Sequence, residues 1–367
     1  MLEIARTYRD YIVHRHRRLG IERGWQARHN KVFSLHPQYR RPCEAEVESQ
    51  HLAIWRPLAA KISLDTLRVC WNISGHADPR IVPEELFASE IERVLAHRDW
   101  TPVLSHKSLY SRFFPAGVFP ECYLHNIEGQ FFDAALNPLD RTAVPHFEAF
   151  EYPVVLKPNT GSSGGKGVSF PKTPAELRSA IEGRINFVVQ RRIRQDAFFE
   201  RFNAYGLNTL RVYTYKSVLN DEVHVLNTAL RLGKGGSLDN ETAGGIVCFV
   251  RPGGRLNEFA VDRYGEKFER HPDSQLAFGP SQVVPKFEQM IELTLTLHRL
   301  LPAIRLAGWD VCLDDQGRWR CVEVNLNSHT IRFAQYAGQP FFGDFTGEVV
   351  RYCSVHPHLR RAHVRIT

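Results

Sequence analysis

The chain has 367 residues, of which 43% are hydrophobic and 24% charged, a composition typical of soluble globular proteins and a length sufficient for two or three domains. It has no apolar run of about 18 residues and no apolar N-terminal segment, so we expect neither a membrane span nor a secretory signal. Seven cysteines without a C-x-x-C pair argue against a thiolate metal or redox site. We therefore expect a cytoplasmic protein with no membrane partner.

The first 41 residues hold ten arginines and lysines against three carboxylates, in a chain whose net charge is +7. Such a stretch would attract an acidic carrier or a nucleic acid. The plainer interpretation, which we prefer, is a solvated helix packed on the body of the protein, because few aromatic residues interleave with the charges. Residues 1 to about 60 are predicted to be mostly helical, with interruptions at Pro37 and Pro42.

Residues 67–73 are rich in strand-favouring side chains and end at Gly75, so we predict a strand there. Residues 83–96 begin with a proline, continue with acidic residues and then place apolar residues at helical spacing, which predicts a helix. A further helical stretch is predicted to begin at Lys107.

From residue 151 the pattern changes to a strand, a glycine loop, a second strand, a helix and a third strand at 187–193. The first strand ends in Lys157, and the loop from Gly161 to Gly167 is flexible enough for backbone N–H groups to approach an anion closely. The loop does not match the Walker A motif, because Thr160 and Gly167 stand where that motif requires glycine and Ser/Thr.

Alternating strands are predicted at 208–215, 223–232 and 244–250, followed by a helix at 285–301. Arg211 and Arg231 lie within these apolar strands, where a charge is costly unless it is paired. Two interpretations remain open. The arginines form ion pairs with Asp310 or Glu323, or they bind a transferred phosphoryl group through bidentate hydrogen bonds.

Three oxygen-bearing side chains lie on the last two predicted strands, which a tight turn at 315–317 connects. Asp310 lies on the first strand, and Glu323 and Asn325 lie on one face of the second, because strand side chains alternate with period two. Oxygen ligands of this kind suit a Mg²⁺ ion that also holds substrate phosphates. The sequence therefore predicts a magnesium site formed by Asp310, Glu323 and Asn325.

The order and spacing of these motifs resemble the ATP-grasp enzymes. More narrowly, residues 82–87 before Lys107 and the run from Arg231 through Asp239 to Gly245 resemble the subfamily described as sugar-transfer associated. The resemblance covers roughly 80 to 340. It implies an α+β ATP-grasp fold, with two α+β subdomains gripping ATP and a largely helical N-terminal region. The expected divisions are 1–105 for the N-terminal helical or α+β region, 106–150 for a linker with the first ATP contact, 151–205 for the lid subdomain and 206–367 for the catalytic subdomain.

The resemblance also implies roles for individual residues. Those expected to bind ATP are Lys107, Lys157, Gly161, Ser162, Ser163, Gly164, Gly165, Lys166, Gln190, Arg192, Ile193 and Asp196. Gln190 stands where many relatives carry glutamate, and Arg192 and Ile193 would contact adenine through their backbone groups. Arg211, Arg231 and Asn240 are the expected catalytic residues. Ser328, His329 and Arg332 are further candidates for contact with the acceptor, and His329 is also a candidate base.

The reaction implied is an ATP- and Mg²⁺-dependent joining of a carboxylate to an amine. ATP phosphorylates the carboxylate, the amine attacks the acyl phosphate, and an amide, ADP and phosphate result. The substrates would be small molecules derived from amino acids or sugars. The alternatives are a kinase that acts on a small metabolite or sugar, and a nucleotide-binding protein without turnover.

Overall fold

The computed structural model describes residues 2–96, 100–140, 147–161, 165–235, 239 and 244–361. Two antiparallel sheets, one of four strands and one of seven, follow an N-terminal region in which helices predominate. This confirms the expected α+β class and the helical N-terminal region.

Seven helices of two turns or more are described. They are α1 (Leu2–Leu35), α2 (Ala45–Trp55), α3 (Asp65–Ser74), α4 (consecutive segments Glu84–Leu86, Phe87–Ile91 and Glu92–Leu95), α5 (Pro174–Ile181), α6 (Phe287–Arg299) and α7 (Thr346–Val355). The middle segment of α4 is a π-helical turn. Short helical turns lie at Pro37–Arg40, Thr101–Leu104, Lys107–Leu109, Tyr110–Phe113, Phe147–Ala149, Ala197–Glu200, Pro252–Gly254, Arg332–Gln335, Gly343–Phe345 and Pro357–Arg361. None of the described helices is both long enough and apolar enough to span a membrane.

The strand predicted at 67–73 is wrong, because these residues lie inside α3. Leu67, Cys70 and Ile73 recur every three residues and are all buried, which is the spacing of one helix face. Gly75 ends the helix with a left-handed backbone at φ 77°. Burial of that face outweighs the strand preference of the individual residues, which is weak and depends on context.

The smaller sheet has the strand order β2-β1-β4-β3. Its strands are β1 (Cys122–Ile127), β2 (Gln130–Phe132), β3 (Val154–Pro158) and β4 (Phe187–Arg191). One face packs with Leu177 of α5 in a core that includes Leu156 and Val189. Lys157 is the neighbour of Leu156 on β3 and therefore points to the opposite face. β1 and β2 lie within residues 106–150, which we expected to be linker. The sequence did not reveal these strands, because they are short and partly polar.

The larger sheet has the strand order β11-β10-β5-β6-β7-β8-β9. Its strands are β5 (Thr209–Lys216), β6 (Val223–Leu232), β7 (Ile246–Val250), β8 (Leu256–Val261), β9 (Lys267–Phe268), β10 (Leu306–Leu313) and β11 (Trp319–Asn325). One face packs against α6, with Trp309 and Met290 in the same core cluster. On the other face Tyr213 packs with Phe87 of α4 and with Phe341. Arg211, Arg231, Asp310 and Glu323 lie on this second face.

Candidate functional site

The strand register brings the three predicted metal ligands and the predicted catalytic residue Arg211 together on one face of the larger sheet. Asp310 on β10 lies opposite Arg211 on β5 and opposite Glu323 on β11. Residues directly opposite each other in an antiparallel pair point to the same side of the sheet. Asn325 follows Glu323 by two residues and lies opposite Gly308, so its side chain is on that face as well.

Asp310 is buried and is held by two guanidinium groups. Arg211 contacts it with Nε at 2.5 Å from Oδ1 and with Nη2 at 3.0 Å from Oδ2, and Arg231 Nη1 lies 3.1 Å from Oδ1. Burial alone would raise the pKa of Asp310, but the charges of Arg211 and Arg231 outweigh it and lower this pKa to about 2. The ion-pair interpretation of both arginines therefore describes their arrangement in this structure.

Arg231 also faces a second carboxylate, which we did not assign to the site from the sequence. Asp239 Oδ1 lies 3.6 Å from Arg231 Nη2 and the Thr209 hydroxyl donates a hydrogen bond to Asp239. Burial raises the pKa of Asp239, while Arg231 acts in the opposite direction. The position of Thr209 was readable, because it precedes Arg211 by two residues and so shares its face. The predicted catalytic residue Asn240 lies outside the described residues.

Two buried lysines approach β11 from different elements. Lys107 Nζ lies 2.7 Å from Glu323 Oε1, and the side chains of these residues are 1% and 28% exposed. Lys157 Nζ lies 3.3 Å from the Val322 carbonyl oxygen. Burial lowers the pKa of Lys157 to about 8, and the positive charge of Lys107 acts in the same direction. Two buried ammonium groups that approach the same strand form a site for an anion.

The position of Lys107 is fixed by its neighbours in the short helical turn Lys107–Leu109. The Lys107 backbone N–H donates to the Asn159 carbonyl oxygen at 3.0 Å, and the Ser108 hydroxyl donates to Asn159 Oδ1 at 2.9 Å. Asn159 follows β3 by one residue, so the two lysine-bearing segments are hydrogen-bonded to each other.

The glycine loop follows β3 directly and has the backbone conformation that glycine favours. Gly161, Gly165 and Gly167 have φ values of 68°, 75° and 74°. A Cβ atom on Gly167 would lie 3.0 Å from Pro158 Cγ. The side chain of Lys166 is exposed. Ser162, Ser163 and Gly164, which we also predicted to bind ATP, lie outside the described residues.

The end of β4 and the segment after it contain the residues predicted to contact adenine and ribose. Gln190 is buried and donates from Nε2 to Cys122 Sγ at 3.1 Å. Among the described residues, none forms a backbone hydrogen bond with Arg192 or Ile193. Both residues line a cavity of about 740 Å³ that also borders the turn between β10 and β11. The adenine contact of these backbone groups stays a prediction.

Asp196, predicted to contact ribose, has a structural role in the protein. Its carboxylate accepts a hydrogen bond from the Phe198 backbone N–H at 2.8 Å and so caps the short helix Ala197–Glu200. Arg332, a candidate for carboxylate recognition, lies 3.6 Å from Glu84 of α4, and both side chains are buried. It therefore faces the N-terminal helices.

The donor set at the predicted metal site fits magnesium in part. In the portion of the chain that the structure describes, no cluster of three or more His, Cys, Asp or Glu side chains could hold a metal ion. The predicted set has two carboxylates and one amide instead. The Asp310 oxygens already accept from guanidinium groups, and Asn325 Nδ2 donates to Asp310 Oδ2 at 3.3 Å. Asn325 thus offers Oδ1 to the ion as it stands, whereas Glu323 would exchange its contact with Lys107 for the ion and Asp310 would exchange an arginine contact.

Residues 175–343 match the family model described as sugar-transfer associated ATP-grasp. This part of the chain belongs to the ATP-grasp superfamily. The two sheets, with charged residues between them and helices at the N-terminus, are an ATP-grasp fold with a helical N-terminal region. No curated protein matches the chain.

Among solved structures, the chain is similar to N5-carboxyaminoimidazole ribonucleotide synthetase from Thermotoga maritima, with 13% identity, a TM-score of 0.38 and coverage of 65% of this chain and 49% of that one. For D-alanine-D-alanine ligase from Coxiella burnetii the identity is 13%, the TM-score 0.39 and the coverage 72% and 61%. For L-amino acid ligase from Bacillus licheniformis these values are 13%, 0.32, 66% and 41%. The chain thus spans about half the length of the first of these proteins, and similarities this distant carry no argument about activity.

Proposed function

We propose that this ATP-grasp protein is an ATP- and Mg²⁺-dependent ligase that joins a carboxylate to an amine through an acyl phosphate. The observation that carries the proposal is the convergence of Lys107 and Lys157 on β11, beside the carboxylate of Glu323. Two buried cations next to a carboxylate provide charges of both signs, which the phosphates of a nucleotide and a divalent cation require together.

ATP would lie between the two sheets. Lys107 and Lys157 would contact its phosphates, with the backbone of the loop from Gly161 to Gly167 over them. The free backbone groups of Arg192 and Ile193 would pair with adenine, and Gln190 lies on the neighbouring strand end.

Mg²⁺ would be held by Glu323, Asn325 and Asp310, and it would neutralise the charge of the nucleotide phosphates. When Asp310 serves that ion, Arg211 and Arg231 become available for an anion. Their planar guanidinium groups suit the phosphoryl oxygens of an acyl phosphate. Both interpretations of these arginines can thus apply in turn to the same residues.

The reaction that we propose needs no protein nucleophile. A carboxylate oxygen forms a bond to the γ-phosphorus as the bond to the bridging oxygen of ADP breaks. The amine nitrogen then bonds to the carbonyl carbon, phosphate leaves and the nitrogen loses a proton. The protein's part is to hold the reactants close together and to stabilise the phosphoryl charge.

A kinase is the second candidate, and Asp239 is the observation that favours it. This carboxyl group lies beside Arg231, and burial raises its pKa. A carboxylate of raised basicity near the phosphoryl site is suited to take the proton of an attacking hydroxyl group. In that case the acceptor would keep the phosphoryl group.

A screen for ADP release tests both candidates. The protein would be incubated with MgATP, a panel of amino acids and uronic acids, and a pool of amines, and the products would be identified by mass spectrometry. An amide with free phosphate supports the ligase, and a stable phosphorylated acceptor supports the kinase. Glu323→Gln should lose the ADP release, whereas Glu288→Gln, on the exposed side of α6, should keep it. ADP release that persists in Glu323→Gln would contradict the proposed site.

A further inference from the structure

A short chain of hydrogen bonds connects α4 with the end of β11. Glu92 Oε1 accepts from the His329 backbone N–H at 2.7 Å and lies 2.8 Å from His329 Nδ1. The other ring nitrogen, Nε2, lies 3.0 Å from the backbone oxygen of Asn325. Both ring nitrogens of His329 thus lie within hydrogen-bonding distance of oxygen atoms that can accept. His329 thus connects Glu92 of α4 with the backbone of Asn325 at the end of β11.

The loop after β11 is held at further points around this imidazole. The His329 side chain is fully buried, and its ring packs edge-on against Tyr213 with centroids 5.7 Å apart. The Tyr213 hydroxyl donates to the Thr330 carbonyl oxygen at 2.9 Å and accepts from the Thr330 N–H at 3.1 Å. Ser328 has a φ of 55°, which non-glycine residues rarely adopt. Such a backbone conformation is kept only where the surroundings fix it.

Gly308 has no side chain, and this leaves room for the imidazole ring of His329. A Cβ atom at this position would lie 3.3 Å from His329 Cδ2 and 3.0 Å from Tyr213 Cε1. Gly308 is also the residue opposite Asn325 in the strand pair. The ring of His329, the strand pair and Asn325 are thus packed against one another without room for an extra methyl group.

The Asn325 side chain has a defined orientation as a result. Its Nδ2 donates to the Gly308 carbonyl oxygen and to Asp310 Oδ2, both at 3.3 Å. The amide nitrogen is thereby occupied, and Oδ1 is left as the atom to offer to a cation. The backbone contact with His329 and these two donations together fix which end of the amide faces the site.

We infer that Glu92 and His329 are positioning residues, which orient Asn325 for divalent cation binding. The inference rests on the proposed function, because it takes Asn325 to be a metal ligand. Glu92 lies outside the residues 175–343 that match the family model. The helical N-terminal region would therefore contribute a residue that orients a metal ligand. Groups that orient metal ligands typically change metal affinity by about 10- to 100-fold when they are removed.

The test measures Mn²⁺ binding in the presence of ADP. The electron paramagnetic resonance signal of the free Mn²⁺ ion reports how much of it remains unbound. Glu92→Ala should raise the Mn²⁺ dissociation constant by about 10- to 100-fold. Glu92→Gln keeps an oxygen that accepts from His329 and should stay within a few-fold of the wild type. Glu48→Ala is the matched control, because Glu48 likewise contacts one side chain, Arg68 at 2.8 Å, and one backbone N–H, that of Cys43 at 3.1 Å, and its side chain is 15% exposed compared with 14% for Glu92.

The outcomes separate the two proposals. Weak Mn²⁺ binding in Glu92→Ala together with wild-type binding in Glu48→Ala supports the positioning role, whereas equal binding in all variants overturns it and leaves the proposed function in place. Absence of Mn²⁺ and ADP binding in the wild type overturns both. If Glu92→Ala does not fold, His329→Asn replaces it. That side chain is too short to reach Asn325, so the same loss is expected, and wild-type affinity would refute the role.

Discussion

The amino group of Lys107 lies 2.7 Å from the carboxylate of Glu323, so a predicted phosphate-binding cation is paired with a predicted metal ligand. In this structure each charge neutralises the other. In the proposed complex the nucleotide phosphates would neutralise Lys107 and the Mg²⁺ ion would neutralise Glu323. The pair is asymmetric, because the lysine side chain is 1% exposed and that of the glutamate 28%. In our account, MgATP binding exchanges this ion pair for two new ones.

The asymmetry predicts different stability effects for the two partners. Glu323→Gln leaves the charge of Lys107 buried beside Lys157, and we expect it to lower the free energy of unfolding by about 2–3 kcal/mol. Lys107→Met removes the buried charge itself and leaves a carboxylate that water can reach, so the loss should be smaller. Denaturant unfolding at pH 7 measures both, and a larger loss in Lys107→Met would contradict this reasoning.

Nucleotide affinity should depend on pH through Lys157. In the free protein its pKa is lowered to about 8, whereas contact with phosphate favours the charged form. Affinity should therefore be constant below this pH and fall as the pH rises above it, by up to about tenfold per pH unit. Isothermal titration with MgADP at several pH values checks this. Lys157→Met should lose the slope, and the exposed Lys172→Met should keep it; a slope unchanged in Lys157→Met would exclude Lys157 as its source.

Gly167 in the glycine loop and Gly183 outside it offer a matched pair of substitutions. Gly167 and Gly183 have φ values of 74° and 68°, and a Cβ atom would meet Pro158 at Gly167 but nothing within 4 Å at Gly183. Alanine at either position should cost about 1–2 kcal/mol of stability through the left-handed backbone. Only Gly167→Ala should also weaken nucleotide binding, because it displaces the loop next to Lys157. Equal nucleotide affinities in the two variants would argue against a role for the loop.

The bidentate contact of Arg211 with Asp310 predicts that lysine cannot replace this arginine. Arg211→Lys should lower ADP release by at least about 100-fold, since a point charge cannot reproduce the planar pair of hydrogen bonds. Arg68 makes a similar pair with Glu48, at 2.8 and 2.9 Å, away from the site. Arg68→Lys is therefore the control, and near-wild-type turnover in Arg211→Lys would refute the catalytic role.

The sequence was sufficient to predict the strands that carry the charged residues. Alternation with period two placed Glu323 and Asn325 on one face, and the structure has that arrangement. The prediction of α3 as a strand was wrong, because seven residues of mixed propensity do not reveal which neighbours bury them. The pairing of Lys107 with Glu323 was not predicted, since it depends on how the segment before β1 packs against β11.

Contacts between residues far apart in the chain were the hardest to foresee. Glu92 lies 237 positions before His329 and carries no motif of its own, so nothing in the sequence connected the two. Asp196 was assigned to ribose, and that contact stays a prediction. Its role as a helix cap was not foreseen, because an aspartate before a short helical segment satisfies the ligand pattern and the capping pattern equally well. Only the register and the packing of the elements decide such cases.

The most direct test is a crystal structure with Mg²⁺ and a non-hydrolysable ATP analogue. We predict that Lys107 Nζ leaves Glu323 and contacts a phosphate oxygen, and that oxygens of Glu323 and Asn325 lie about 2.0–2.1 Å from the ion. An analogue bound at another site, with the ion pair between Lys107 and Glu323 intact, would contradict the account.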